Sequence, residues 1–168
     1  MSTGRTTCHY PITCRYLHYR LPNGKTILLP LIQVELVSEK ESLTTIGLLD
    51  TGATDSFMPY EIADILGSIP ESPKKEPVET AGGSTEFFPV VLKRLSLLTG
   101  GKIFSDFPNF QMLVPAKPER DLPYTILGRD SIFKRFYITF KENIKKFVIE
   151  HHKYARRRGK WRARIKEV

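Results

Sequence analysis

The chain has 168 residues, of which 40% are hydrophobic and 11% are aromatic. This length and composition fit one domain with a buried core and exclude a disordered chain. The formal net charge is +8, but residues 151–168 hold eight of the 26 Lys/Arg residues and one of the 18 Asp/Glu residues. The excess positive charge therefore lies in a C-terminal tail, and residues 1–150 are nearly neutral.

The sequence predicts neither a membrane span nor a secretory signal. A helical span needs roughly 18 to 20 consecutive apolar residues, whereas the apolar stretch at residues 27–37 is interrupted by Pro30, Gln33 and Glu35. Residues 1–10 are polar, and no apolar signal core follows them. We therefore expect a cytoplasmic protein without a membrane partner, and such a location argues against a disulfide between Cys8 and Cys14.

The elements of the first half are predicted as follows. Residues 1–19 show no usable periodicity, and residues 21–25 carry a turn signal, so we expect an N-terminal extension at 1–20 and a domain from residue 21. Residues 26–37 and 43–49 read as two strands joined by a charged turn, which favours an antiparallel hairpin. Residues 59–67 predict a helix with proline at its first position and Gly67 as its stop.

The second half adds strands and one short helical segment. Strand-like runs occupy residues 87–98, 103–107 and 110–114, a helix-like segment spans residues 131–135, and a final hairpin pairs residues 136–140 with 146–150. Many short strands with one or two short helices predict a mainly β, barrel-like domain over residues 21–150. The basic tail is then residues 151–168.

One acidic residue holds a position suited to chemistry. Asp50 directly follows the apolar strand at residues 43–49, and Gly52 gives the chain the freedom for a sharp turn after it. The turn contains Asp50, Thr51, Gly52 and Ala53. A carboxylate at such a turn is held by a rigid element rather than by a loose loop.

Two further motifs follow in a fixed order. The first is a glycine-tipped segment made of Ala81, Gly82, Gly83 and Ser84, with strand-like residues on its C-terminal side. The second, roughly 75 residues after Asp50, is an apolar run that ends in Gly128, Arg129 and Asp130. An isolated Asp-Thr-Gly is a weak signal, whereas the ordered set is specific.

This ordered set resembles the retropepsins, the retroviral-type aspartic proteases, over about residues 23–150. The resemblance implies a closed acid-protease barrel that acts as a homodimer, with Asp50 catalytic and Thr51, Gly52 and Ala53 supporting it. It also implies that residues 81–84 form a flap, that residues 128–130 have a structural role near the site, and that no cofactor or metal is needed. The expected activity is that of an aspartic endopeptidase acting on peptides or unfolded proteins.

The chemistry itself asks for two carboxylates. Peptide hydrolysis without a metal or a covalent nucleophile needs a base to activate water and an acid to protonate the amide nitrogen, and two carboxylates sharing one proton supply both. The sequence has no internal repeat and no second Asp-Thr-Gly. A second copy of the chain must therefore bring the second Asp50, across a two-fold axis.

The sequence leaves some residues near the site open. In viral relatives the arginine after the glycine pairs with an aspartate directly after Asp-Thr-Gly-Ala, but here that position is Thr54. Asp55 and Asp130 are the candidate partners of Arg129. A second open point concerns the walls of the groove, for which the candidates are Phe57, Val90, Leu92 and Ile126; as apolar strand residues they fit a plain core better.

The two ends of the chain allow alternative interpretations. Cys8, His9, Cys14 and His18 are residue types that bind zinc, but their spacing fits no common closed site, so we expect free thiols. The tail fits a solvated segment, a helix on its own domain, or a nucleic-acid contact in which Tyr154 and Trp161 stack on bases. The alternative function is a catalytically silent dimerisation module whose tail binds nucleic acid.

Overall fold

The computed structural model describes residues 11–21, 23–80, 83–118 and 122–152. This part of the chain is mainly β with few short helical segments, as the sequence predicts. Its strands are β1 (Ile12–Arg15), β2 (Leu17–Arg20), β3 (Thr26–Leu29), β4 (Leu31–Val37), β5 (Ser42–Leu49), β6 (Glu76–Thr80), β7 (Gly83–Thr99), β8 (Lys102–Pro115), β9 (Thr125–Leu127), β10 (Phe136–Lys141) and β11 (Lys146–His151). The helical segments are α1 (Tyr60–Ile65), a π-helical turn (Arg129–Phe133) and a 3-10 turn (Glu142–Ile144).

The strands form one large sheet, one small sheet and a separate hairpin. The large sheet has the order β6-β7-β4-β5-β9, and β8 pairs with β7. The small sheet has the order β1-β11-β10, while β2 pairs with β3. In the large sheet β5 lies between β4, with which it is antiparallel, and β9, with which it is parallel. The end of β5 is therefore held on both sides.

The predicted hairpin of β4 and β5 is confirmed, with one change at its start. The two strands pair from Leu31↔Leu48 to Val37↔Ser42. The predicted strand at residues 26–37 is divided at Pro30, because proline has no amide hydrogen for a ladder. Its carbonyl is still used, since it accepts the amide of Leu49 at 3.1 Å.

The second half of the large sheet is more continuous than the sequence predicts. The runs at residues 103–107 and 110–114 are parts of the single strand β8, which continues through Pro108 opposite Arg94 of β7. An edge position tolerates proline because no second partner needs its missing amide. The turn from β7 to β8 uses Gly100 and Gly101, both with positive φ angles of 54° and 72°.

Both helical predictions are close to the observed segments. α1 begins one residue after Pro59, which is its N-cap, and Gly67 ends the segment with a φ of +57°. The second segment begins at Arg129 rather than at residue 131, because the amide of Ile132 already bonds the carbonyl of Gly128. No helix in the ranges that the structure describes is long and apolar enough to cross a membrane.

The core packs the large sheet against α1 and the small sheet. Its fully buried side chains come from nearly every element and include Leu36, Leu66, Phe88, Leu95, Met112, Leu127, Ile132 and Phe147. The final hairpin is confirmed as β10 and β11, with Phe147 of β11 buried under it. Because the core contains side chains from both sheets, the strands of the small sheet must fold together with the large sheet.

Residues 12–20, which precede the predicted domain, lie within the paired structure. β1 pairs with β11 from Ile12↔Ile149 to Arg15↔Lys146, and β2 pairs with β3 across the predicted turn. Between them, Tyr16 is buried, and its hydroxyl donates to Glu142 Oε2 at 2.9 Å. The boundary we placed between residues 20 and 21 therefore falls inside a hydrogen-bonded hairpin. Cys8, His9 and the basic tail beyond residue 152 lie outside the described residues.

Tyr16→Phe tests whether this N-terminal segment contributes to stability. Burial, the hydrogen bond to Glu142 and the charge of Glu142 raise the pKa of Tyr16 to about 12. The unfolded chain ionises this phenol near pH 10 and the folded chain does not, so its contribution is complete below pH 10 and is lost as the pH rises toward 12. We expect Tyr16→Phe to lower the unfolding free energy by about 1 kcal/mol and to flatten this alkaline decline.

The measurement is urea unfolding at several pH values. Tyr137→Phe is the matched control, because Tyr137 is exposed on β10 and its loss should leave both the stability and the pH profile unchanged. An unaltered alkaline decline in Tyr16→Phe would contradict the assigned role.

Candidate active site

Asp50 follows the last residue of β5, the strand held between β4 and β9. Its amide donates to the carbonyl of Leu127 at 3.2 Å, which continues the β5–β9 pairing by one step. The side chain of Leu127 packs over Gly47, since a Cβ there would lie 2.9 Å from Leu127 Cδ1. The backbone that carries the Asp50 carboxylate is thus fixed by a neighbouring strand.

The turn after Asp50 orients its carboxylate. The amide of Gly52 donates to Asp50 Oδ1 at 2.8 Å. A Cβ on Gly52 would lie 3.2 Å from the same oxygen, a close contact for any larger residue. Asp50 is half-buried, whereas Thr51 and Gly52 are exposed. One carboxylate oxygen is therefore anchored by the backbone, and the turn beyond it faces outward.

The second motif is bonded directly onto this turn. The amide of Arg129 donates to the carbonyl of Ala53 at 3.0 Å, and the amide of Asp130 donates to the carbonyl of Thr54 at 2.9 Å. Gly128 makes the approach possible, because a Cβ there would lie 2.0 Å from the carbonyl oxygen of Asp55. The structure thus brings the two sequence motifs together.

A buried pair of serines completes this junction. Ser56 Oγ accepts the amide of Gly128 at 3.0 Å and lies 2.8 Å from Ser131 Oγ. Ser56 is 4% exposed, so its hydroxyl replaces water as the partner of a buried amide. Sequence reasoning missed both serines, since nothing local to residue 56 indicates a partner 75 residues away.

Arg129 has a different partner from the two candidates named from the sequence. Its guanidinium donates to Thr54 Oγ1 at 3.1 Å. Asp130 instead lies 3.6 Å from Lys134 Nζ, and among the described residues Asp55 has no ion pair. The interpretation that Asp55 or Asp130 pairs with Arg129 is therefore wrong. Thr54 occupies the position of the usual aspartate and supplies a neutral acceptor in its place.

The glycine-tipped segment lies in a hairpin beside the site. β6 and β7 are antiparallel, with Glu79 opposite Ser84 and Thr80 opposite Gly83. The hydroxyl of Thr80 donates to the carbonyl of Gly83 at 2.7 Å, and Gly83 has a φ of +101°. Ala81 and Gly82, which we predicted at the tip, lie outside the described residues.

A groove of about 510 Å³ lies between Asp50 and this hairpin. Two of the four predicted wall residues, Phe57 and Ile126, line it, whereas Val90 and Leu92 are buried in the core. Sequence reasoning missed three apolar lining residues, Val78, Phe87 and Leu122. The rings of Phe57 and Phe87 meet edge to face at 5.1 Å, so the segment after the Asp50 turn packs against β7 of this hairpin.

An aromatic pair lies near Asp50, and the charge of Asp50 acts on one of its members, Tyr124. Tyr124, which precedes β9, contacts Tyr19 of β2 edge to face at 5.0 Å. Burial raises the pKa of Tyr124, and the neighbouring Tyr19 and the negative charge of Asp50 raise it further. The N-terminal hairpin thus reaches the vicinity of the site.

Comparison with known proteins agrees with this geometry. A family model described as "Aspartyl protease" matches residues 39–131, which spans the Asp50 turn, the β6–β7 hairpin and the Gly128 motif. The chain belongs to this aspartyl protease family. The chain is similar in structure to a retropepsin-like aspartic protease from Rickettsia conorii, with a TM-score of 0.51 and 20% identity over 83% of this chain and 92% of that one. The predicted retropepsin-like fold is thereby confirmed. No curated protein matches the chain.

Ser56→Ala tests the junction that holds the aspartyl protease turn. The change leaves the buried amide of Gly128 without its acceptor, so we expect the unfolding free energy to fall by about 1 to 3 kcal/mol. Ser131→Ala is the matched control, because it removes one hydroxyl of the pair but keeps the acceptor of Gly128. Urea unfolding at one protein concentration measures both. An equal loss in the two variants would contradict the assigned role of Ser56.

Proposed function

We propose that this chain is an aspartic endopeptidase that works as a homodimer, with one Asp50 from each subunit at the two-fold axis. The observation that carries the proposal is the Asp50 carboxylate itself, which is anchored by the amide of Gly52 and lines the groove. The turn bonds to Oδ1, and because Asp50 is half-buried rather than buried, we assign Oδ2 to the contact with a second carboxylate.

Two such carboxylates held about 3 Å apart cannot both ionise, so they share one proton and titrate as a pair. The ionised member takes a proton from water as the water attacks the peptide carbonyl. The protonated member donates its proton to the carbonyl oxygen. The other member, which now carries the proton taken from water, then protonates the departing amide nitrogen, while the first member takes a proton back from a hydroxyl of the tetrahedral intermediate. Because one chain supplies one Asp-Thr-Gly, the monomer holds half of this machinery.

The residues after Asp50 have supporting roles in this proposal. The exposed hydroxyl of Thr51 is available to bond across the axis to the partner subunit. Gly52 and Ala53 keep the turn small, so that a substrate backbone approaches Asp50 closely. The amides of Arg129 and Asp130 support the turn through their bonds to the carbonyls of residues 53 and 54. Gly128 allows this close approach.

The β6–β7 hairpin is the proposed flap, formed by Ala81, Gly82, Gly83 and Ser84. It would close over an extended peptide and exclude water other than the nucleophile. The peptide would bind as an added strand, with its side chains in pockets of the groove. The apolar lining at Phe57, Phe87 and Ile126 supports this use.

The dimer interface is proposed to differ from that of viral relatives, which interleave their termini in one sheet. Here β11 has β1 on one side and β10 on the other within the same subunit. Both edges of β11 are paired with strands of its own subunit, so β11 has no free edge with which a second copy could pair. The final hairpin still offers the outer edge of β10 as the proposed interface.

The test is cleavage of an unfolded protein from pH 4 to 7 over a range of enzyme concentrations. We expect Asp50→Asn to lower the rate by at least about 10³-fold, because it removes the shared proton and the base. A pepstatin-type inhibitor should block cleavage by the unaltered enzyme. The rate should rise more steeply than linearly with concentration wherever monomers predominate, since two chains build one site.

A catalytically silent binding module is the alternative, favoured by the positive charge of residues 151–168. It predicts no cleavage by a sample shown to be dimeric, together with polyanion binding that survives Asp50→Asn and fails in a chain ended after Glu150. That pair of results would overturn the proposed endopeptidase.

A further inference from the structure

The charged residues in the described lining of the groove all have the same sign. Besides Asp50, the groove is lined by two further acidic residues, Asp55 and Glu79, and none of the described lining residues is a lysine or an arginine. Asp55 lies in the turn beneath the groove, and Glu79 lies on β6 of the proposed flap. The two acidic residues therefore lie on opposite walls of the same groove.

Both carboxylates are available to a ligand. Their side chains are exposed, and within the described ranges neither has a salt-bridge partner, whereas other acidic residues such as Glu35, Glu39, Glu76 and Asp130 do. The cation next to this wall, Arg129, is bound to the neutral hydroxyl of Thr54 instead. Two unpaired like charges beside a cleft make a negative potential that attracts cationic groups.

Apart from Thr54 and Thr80, the rest of the described lining is apolar. Phe57, Val78, Phe87, Leu122 and Ile126 surround the same space. A side chain with a long apolar stem and a positive end suits such a lining, because lysine and arginine lay their methylene groups on apolar surface and keep the charged end at the polar rim. A purely apolar side chain would leave the two carboxylates unmatched, and an acidic one would be repelled.

We propose that this groove prefers substrates with a lysine or arginine side chain next to the cleaved bond, bound through Asp55 and Glu79. This inference rests on the proposed function, since it assigns the substrate class of the same site. Asp55 and Glu79 are specificity-determining residues in this account, and they take no part in the chemical step.

The test uses synthetic peptides that span a bond cut in an unfolded protein. At each position that flanks this bond, three peptides are made, with lysine, norleucine or glutamate. Norleucine has the apolar stem of lysine without its charge. The expected ratio of kcat/KM for lysine over norleucine is roughly fivefold at one position, the size of a partly exposed ion pair. Glutamate should be worse than norleucine there, and high salt should reduce the ratio.

Asp55→Asn and Glu79→Gln then identify the residues responsible. Each change keeps the shape of an exposed side chain and removes its charge, so each should reduce the lysine-to-norleucine ratio. Glu71→Gln is the matched control, because Glu71 is exposed in the segment between α1 and β6 and does not line the groove. That variant should keep both the ratio and the activity.

The outcomes separate this inference from the function beneath it. Cleavage of all peptides without a lysine preference, or a preference that is unchanged in both variants, overturns the specificity and leaves the endopeptidase standing. If no peptide is cleaved, the proposed function fails, and fluorescence anisotropy with labelled lysine and norleucine peptides decides the rest. Tighter binding of the lysine peptide that is lost in Asp55→Asn supports the basic-side-chain site, and equal binding overturns it.

Discussion

The site depends on one close backbone approach between two segments that lie about 75 residues apart. Gly128 passes so near the carbonyl of Asp55 that any side chain there would collide with it, and its amide bonds to the buried hydroxyl of Ser56. Because the following two amides bond to the carbonyls of Ala53 and Thr54, this contact fixes the whole turn after Asp50. The proposed catalytic role of Asp50 requires a closely held carboxylate, and here the backbone holds it.

The same contact explains how one short turn serves both the floor and the walls of the groove. β9 enters beside β5 and gives Ile126 to the lining, while the turn gives Phe57 and Asp55. The β6–β7 hairpin then covers this floor and adds Val78, Glu79 and Phe87. The groove is thus built by elements that lie far apart in the sequence. Under the proposed function its chemistry is half complete in one chain, which would link activity to association.

Much of the fold could be predicted because its signals are local. The alternation in residues 31–37 and the apolar run before Asp50 predict strands without knowledge of their partners. The features that the sequence did not predict depend on contacts between residues far apart in the chain. β1 and β2 are four residues each, too short for a period, and β1 is stabilised by β11 at the other end of the chain. β8 continues through Pro108 because it lies at an edge, and the Ser56–Ser131 and Arg129–Thr54 bonds join residues 75 apart.

The central claim is that each active site takes one Asp50 from each of two chains. Its most direct test is to unfold equal amounts of the unaltered chain and Asp50→Asn, refold them together at a concentration where dimers predominate, and measure cleavage. Random pairing leaves about a quarter of the dimers with two intact carboxylates, so the account predicts about a quarter of the activity of the same total amount of unaltered chain. Activity of about one half would show that each chain works alone and would contradict the account.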